Sequence, residues 1–360
     1  MKFDGFLMSR DIVIAEIKDT GIIPVIDKLL PFYLKNFSDF ECWLEDRAID
    51  RHRTNSRLLK KALRLTTEED AEIVLKVNAA TITDCYWFKP RNSSLTYDNI
   101  RFKENTFDKL ALYGDPDSFN QDYMATPELT NIGSFEKCWK KFNGEWWLYK
   151  QGNENELFSE LFVYELGRAL GFQMAEYELD GKYIRSRDFT KATSVNFESI
   201  NGIVGENEDY EVNFNAIVRL SGQVAKDYIT IIYLDTLCFN MDRHTKNYGI
   251  LRNCETGVVI GLAPNFDNNI ALIARGYPTN LTREKDKLIE LFMTFLKGNP
   301  LALEYFENLQ YPEITDNLLN SCFNRIPIEV NRSAIAQFIL NGKTQMQMIL
   351  ERETKKESLQ

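Results

Sequence analysis

Apolar residues fall at helical intervals through the second half of the chain and in short alternating runs through much of the first. Over residues 215–240, Ile217, Leu220, Val224, Tyr228, Ile231 and Leu234 recur three or four apart, which predicts one long helix. Beyond Leu281 nearly every segment keeps that period. A further helix is predicted over 157–170, with Phe158, Phe162, Leu166, Ala169 and Leu170 on one stripe and Gly171 placed to end it. Strand signals lie between these. Residues 135–142 and 146–149 flank Asn143-Gly144-Glu145, and Asn-Gly between alternating apolar runs is a strong hairpin signal. A second ribbon, 175–179 and 182–186, turns at Asp180-Gly181, and a third pairs 248–251 with 257–262. The first 80 residues read as short helices, at 40–44 and 56–65. A capping box, Thr66-Thr67-Glu68-Glu69, opens another over 68–79. Residues 81–125 alternate β-like pieces with polar loops, and 351–360 read as a frayed tail. The pattern predicts an α+β chain, a mixed α/β N-terminal half followed by an α-rich half, meeting near 190–213.

Charge and composition then remove function classes. The 360 residues carry 43 Lys+Arg against 53 Asp+Glu, a formal charge of −10. That argues against direct nucleic-acid binding, which needs clustered positive charge. Residues 47–64 are the exception, with seven Lys/Arg and one Asp; they fit a solvated helix face or a contact for an acidic partner. The longest uncharged run, 256–266, is far shorter than the ~20 apolar residues of a membrane helix. Asp4 arrives too early for a secretory signal. The six cysteines stand singly with no C-x-x-C spacing, which predicts reduced thiols in a cytoplasmic protein with no membrane association. His52 and His244 are too few for a zinc or iron centre.

The chemistry concentrates after the long helix, in Asn240-Met241-Asp242-Arg243-His244-Thr245-Lys246-Asn247. An Asp followed five residues later by Asn suits phosphoryl transfer: the Asp orients and deprotonates a hydroxyl, and the Asn oxygen ligates Mg²⁺. Requiring His at the second position after the Asp lowers the chance expectation of the pattern to roughly 0.01 in such a chain. The same residues also fit a polar helix-to-strand turn. One hairpin later comes Ala263-Pro264-Asn265-Phe266-Asp267, where Asp267 supplies a second hard oxygen ligand. Lys150, ending the apolar run Trp146-Trp147-Leu148-Tyr149, is the candidate phosphate cation, with Glu156 or Glu160 on the next helix as its partner. The loop Thr130-Asn131-Ile132-Gly133-Ser134-Phe135 has one glycine and suits either a phosphate cover or an ordinary turn.

Taken in order, these pieces resemble the HipA-like Ser/Thr kinases, the bacterial family of toxin-type protein kinases. The match rests on Gly133-Ser134 before a hairpin, Lys150 ending a strand, Ser159-Glu160-Leu161 in the next helix, the D-x-H-x-x-N segment and the A-P-x-x-D segment. The resemblance implies a bilobal protein-kinase-like fold with Mg-ATP in its cleft. Residues 1–120 would form an N-terminal region, 121–190 the smaller lobe and 191–360 an α-rich lobe. It further implies Asp242 as catalytic base, Asn247 and Asp267 as Mg²⁺ ligands, Lys150 and Glu160 as the phosphate-side ion pair, and Asn131, Gly133 and Ser134 as phosphate cover. Ser186 and Asp188 would lie in a hinge over 185–189 beside adenine. Ser134 or Thr130 would accept an autophosphorylation. The implied partners are a protein substrate, of the translation machinery in relatives, and a small antitoxin-like protein. A small-molecule or lipid kinase on the same fold, or a nucleotide-binding pseudokinase, is the competing expectation.

Overall fold

The computed structural model describes residues 3–49, 56–62, 69–104, 107–113, 115, 117, 126–132 and 136–357. The chain divides into two compact units. One comprises Met1–Gln151, Glu178–Ile203 and Gly249–Gly261; the other comprises Gly152–Tyr177, Val204–Tyr248 and Leu262–Gln360.

The first unit opens with strands β1 (Gly5–Ser9), β2 (Ile12–Lys18) and β3 (Gly21–Pro24), where short helices were expected. The physical reason lies in Ile12-Val13-Ile14, whose β-branched side chains suit a pleated surface. Arg10, at φ 50°, makes the tight turn before them. Helices α1 (Phe32–Phe37), α2 (Phe40–Glu45), α3 (Ser56–Ala62) and α4 (Asp70–Leu75) follow. Residues 63–68, with most of the expected capping box, lie outside the described residues, and α4 ends before left-handed Asn78 and Ala79. Strand β4 (Tyr86–Pro90) pairs antiparallel with β1, giving the order β3-β2-β1-β4. Leu7, Ile14 and Ile17 of this sheet pack with Leu34, Phe40, Trp43, Leu44 and Val74. Arg47, counted above in the basic stretch, is internal: it grips Asp84 at 2.8 and 2.9 Å and the carbonyl of Ala79.

After α5 (Tyr97–Ile100) and α6 (Phe107–Tyr113), the expected hairpin forms from β5 (Lys137–Phe142) and β6 (Glu145–Lys150). Asn143 and Gly144 turn it, both at positive φ, as a two-residue turn between twisted strands demands. With β7 (Tyr177–Asp180) and β8 (Tyr183–Arg187) it builds a sheet of order β5-β6-β8-β7. Cys138, Trp147, Tyr149 and Tyr183 pack one side of it onto Leu110 and Leu129. A third sheet, β11-β10-β9, joins β9 (Val195–Ser199), β10 (Gly249–Asn253) and β11 (Val259–Leu262). Strand β9 had no counterpart in the sequence reading. Gly249 permits its pairing: a Cβ there would lie 2.2 Å from the carbonyl of Glu198.

The second unit is helical. Helix α7 (Glu154–Ala169) starts three residues earlier than expected because Asn153 and Glu156 cap each other's backbone amides at 3.1 and 3.0 Å. Gly171, at φ 79°, ends it as expected. The single helix expected over 215–240 is two, α8 (Tyr210–Val218) and α9 (Gly222–Cys238), broken where Ser221 takes an extended conformation. Gly222 follows it, and Ser-Gly is a poor helix interior. The buried guanidinium of Arg283 caps the far end of α9, donating to the carbonyls of Thr236 at 2.8 Å and Leu237 at 2.9 Å. Helices α10 (Lys287–Gly298), α11 (Pro300–Glu307), α12 (Asp316–Phe323) and α13 (Arg332–Glu357) complete the unit, the last continuing through most of the expected tail. An aromatic core gathers Tyr233, Phe292, Phe306 and Tyr311. Among the described residues no helix is long and apolar enough to cross a membrane, and all six cysteines are free.

Candidate functional site

The loop that carries Asp242 begins where α9 stops. Phe239 closes the helix in the left-handed conformation (φ 53°), and the amide of Asn240 returns to the carbonyl of Asp235 at 2.9 Å. Asn240 Oδ1 then accepts from the Asp242 amide at 3.2 Å. The amides of His244 and Asn247 close two further turns, onto the carbonyls of Asp242 and His244. Asn247 Nδ2 donates to the Asp242 carbonyl at 2.9 Å, which leaves its Oδ1 as the atom with ligand chemistry. His244 Nδ1 accepts from the amide of Lys246 at 3.2 Å, so this histidine braces the loop.

Asp242 is exposed as a residue, yet the protein around its carboxylate is dense enough that desolvation lifts its pKa above the ordinary Asp value. His244 opposes that rise, Asp267 adds to it, and Arg243 and Arg275 oppose it again. Arg243 Nη1 donates to the carbonyls of Asn247 at 2.7 Å and Phe266 at 2.8 Å, which holds the second acidic loop beside the first. Asp267 itself has φ 60°, and its amide donates to the hydroxyl of Tyr177 at 3.0 Å. The next amide, that of Asn268, donates to Glu160 Oε1 at 2.7 Å. Glu160 is fully buried on α7, so its carboxylate takes part in holding the Asp267 loop. Glu156, the other candidate partner for Lys150, serves the α7 cap and meets Arg275 at 3.5 Å. Asp242, Asn247, Asp267 and Glu160 thus all belong to the second unit.

The remaining candidates belong to the first unit. Lys150 ends the interior strand β6, buried, in register with Lys137 on one side and Ile184 on the other. Ser186 pairs with Leu148 and so shares the Lys150 face of the sheet, since residues two apart point the same way. Lys137, also buried and on that face, was missed by sequence reasoning, although the hairpin register read from its Asn-Gly turn sets the two lysines opposite each other. Asn131 is buried and donates to Glu128 Oε2 at 3.0 Å, while Glu128 Oε1 accepts from the Trp139 amide, so its side chain secures β5. Asp188 holds the loop after β8: it accepts from the Thr190 amide at 2.8 Å and the Ala192 amide at 2.7 Å. Burial raises its pKa, with the Thr190 and Ala192 hydrogen bonds opposing. Thr130 is buried with its hydroxyl on the Ala80 carbonyl at 2.8 Å, a poor posture for a phosphoryl acceptor. Gly133 and Ser134 lie outside the described residues.

A lysine-bearing antiparallel sheet, a helical unit and two acidic loops after its long helix define the class, the protein-kinase-like fold. The chain is similar to two solved structures of that fold. One is Shewanella oneidensis MR-1 HipA in its complex with HipB and operator DNA, at 13% identity and a TM-score of 0.57, over 96% of this chain and 97% of that one. The other is the Helicobacter pylori proinflammatory kinase CtkA, at 18% identity and 0.51, over 61% of this chain and 95% of that one. No protein of curated function matches the sequence. The HipA-like C-terminal domain family matches residues 118–325, and the chain belongs to that family. The fold and the family expected from the D-x-H-x-x-N and A-P-x-x-D segments are therefore both present.

Proposed function

We propose that the protein is an ATP- and Mg²⁺-dependent phosphotransferase acting on a Ser or Thr hydroxyl of a protein. One observation carries this reading: the loops bearing Asp242, Asn247 and Asp267 are fastened into one hydrogen-bonded assembly within a protein-kinase-like fold. In this reading Asp242 accepts the proton of the attacking hydroxyl, and desolvation, by raising its proton affinity, favours that transfer. Asn247 Oδ1 and the Asp267 carboxylate are hard oxygen donors, a set that fits Mg²⁺ with phosphate and water completing its shell. The ion, when bound, neutralises charge developing on the transferred phosphoryl group. Lys150 and Lys137, in register on one face of the sheet, receive the phosphates. Glu160 keeps the Asp267 loop in place, and Ser186 and Asp188 line the adenine side.

In this reading 121–190 forms the nucleotide side and 191–360 serves catalysis, with 1–120 preceding both in sequence. It keeps Ser134 as the autophosphorylation acceptor, since the Thr130 hydroxyl is engaged. The S. oneidensis HipA structure also contains HipB, and we extend the proposal to a small antitoxin-like partner and a cytoplasmic protein substrate, with no direct nucleic-acid contact. Incubating purified protein with γ-labelled ATP and Mg²⁺ tests the activity. Label on the protein or an added substrate that disappears with Asp242→Ala is the expected result; equal labelling by the two proteins would overturn the reading.

A further inference from the structure

Arg243 follows the proposed base in sequence but is not positioned to share its chemistry, because its guanidinium is buried, at 3% exposure. One nitrogen, Nη1, donates to the backbone carbonyl of Asn247 at 2.7 Å and to that of Phe266 at 2.8 Å. The first carbonyl belongs to one proposed metal ligand, and the second immediately precedes the other, Asp267. Nη2 reaches Asn265 Oδ1 at 2.9 Å and Asn268 Oδ1 at 2.6 Å, so its acceptors bracket Asp267 along the chain. Nε and Nη2 also grip both carboxylate oxygens of Asp235, at 2.8 and 2.9 Å. Asp235 is itself buried on the last turns of α9 and accepts from Asn240 Nδ2 at 2.9 Å. A buried guanidinium surrounded by carbonyls alone lacks a counter-charge, and Asp235 supplies it.

Asp267 gives this arrangement its consequence. Its φ of 60° lies outside the basin that L-residues prefer, and such a conformation persists only where surrounding bonds over-determine it. Arg243 makes three of those bonds, to residues 265, 266 and 268, while holding Asn247 with the same guanidinium. We propose that the Asp235–Arg243 pair sets the separation of the two metal ligands, which makes Arg243 a positioning residue for metal binding. This rests on the phosphotransferase reading. When the fork is lost, Asp267 relaxes toward an ordinary backbone conformation and its carboxylate leaves register with Asn247 Oδ1.

The test is binding of Mn²⁺, standing in for Mg²⁺, with a non-hydrolysable ATP analogue, followed by electron paramagnetic resonance. Arg243→Lys keeps the charge beside Asp235 but loses the planar fork. Its Mn²⁺ Kd should rise about 10- to 100-fold, the usual effect of removing a partner that orients metal ligands. The Mg²⁺ concentration for half-maximal rate should rise in parallel, and most of the rate should return at saturating metal. A folded Arg243→Lys protein with wild-type Mn²⁺ affinity would overturn this proposal alone; wild-type protein that binds no Mn²⁺–nucleotide would overturn the phosphotransferase reading with it. Should Arg243→Lys fail to fold, Asn265→Ala replaces it, since that side chain accepts from Arg243 without touching the proposed ligands. A several-fold weaker Mn²⁺ affinity is then expected, and an unchanged one overturns the proposal.

Discussion

Each unit buries arginine–carboxylate pairs, and one from each, Arg252–Glu198 and Arg243–Asp235, can be set side by side because what surrounds them differs. In the first unit Arg252 meets Glu198 at 2.5 Å and donates to the carbonyls of Leu30, Lys28 and Gly257. Glu198 also accepts from the Tyr86 hydroxyl and the Phe32 amide, and the Phe32 ring lies 4.5 Å from the guanidinium. Every partner there is a loop carbonyl, an aromatic or a strand residue that had to be joined to a distant part of the chain. In the second unit Arg243 grips both carboxylate oxygens of Asp235, and its carbonyl acceptors belong to Asn247 and Phe266, beside oxygen donors with metal-ligand chemistry. Buried Arg–carboxylate pairs contribute little net stability beyond what an apolar substitute would, because desolvation offsets the attraction. What each pair supplies is a fixed relation between segments, and the segments decide whether that relation is structural or functional.

The largest effect should come from removing Asp242, the proposed base that the second network surrounds. Asp242→Ala should lower kcat by about 10³-fold or more, roughly 4 kcal/mol of transition-state stabilisation, while nucleotide affinity measured by calorimetry stays near wild type. A loss of affinity equal to the loss of rate would mean that Asp242 binds nucleotide, which breaks the assignment of chemistry to this loop. Next come the lysines of the β5–β6 face. Lys150→Met should lower kcat/KM for ATP by about 10²-fold and Lys137→Met by about 10-fold, the second appearing mainly in KM. Equal and negligible effects would leave that sheet face without a role in nucleotide binding.

Arg252→Met sharpens the comparison from the opposite side. Leaving Glu198 buried without its cation should cost about 3–5 kcal/mol of stability, read from chemical denaturation, with the Mn²⁺ affinity of the remaining folded protein unchanged. A metal-binding defect in this variant as large as that of Arg243→Lys would erase the distinction between the two pairs.

How far the site could be read from the sequence follows the same division. That the segments of Asp242, Asn247 and Asp267 come together was legible because they are two short stretches whose spacing is set by one loop and one hairpin. Glu160 and Lys150 were legible as candidate residues, but the loop that Glu160 holds was not. The carboxylate of Glu160 holds the Asn268 amide, and no periodicity in α7 announces which turn of a neighbouring loop a buried glutamate will cap. Arg243 was passed over because a charged residue in a polar loop looks solvated until its five partners, drawn from α9, its own loop and the Asp267 loop, are assembled in space. In the fold, the Asn143-Gly144 hairpin and the α7 stripe emerged as read, since their signals are local. Strands β1 to β3 did not, because short runs such as Gly5-Phe6-Leu7-Met8 carry no period long enough to separate strand from helix. The break between α8 and α9 was hidden by apolar spacing that carries straight across Ser221.

The smallest effect is the most direct measure of how the second network treats its reactive group. Desolvation raises the Asp242 pKa in the folded protein, so the folded state holds the proton more tightly than the unfolded chain does. The ionised carboxylate therefore opposes folding above the folded pKa, and that cost disappears once pH falls below the unfolded Asp value, where both states are protonated. Asp242→Asn, which mimics the protonated side chain, should raise stability at neutral pH by about 0.5 kcal/mol, kept small because the residue is exposed and solvent screens its charge. The gain should shrink to nothing as the pH is lowered through the acidic range, and the acid limb of kcat/KM in the wild type should sit above the pH of an ordinary aspartate. Stabilisation that persists unchanged at low pH would show that Asn improves packing rather than relieving a charge. In that case the network around Asp242 would resemble the one around Arg252, an arrangement whose role is to fix segments of the chain.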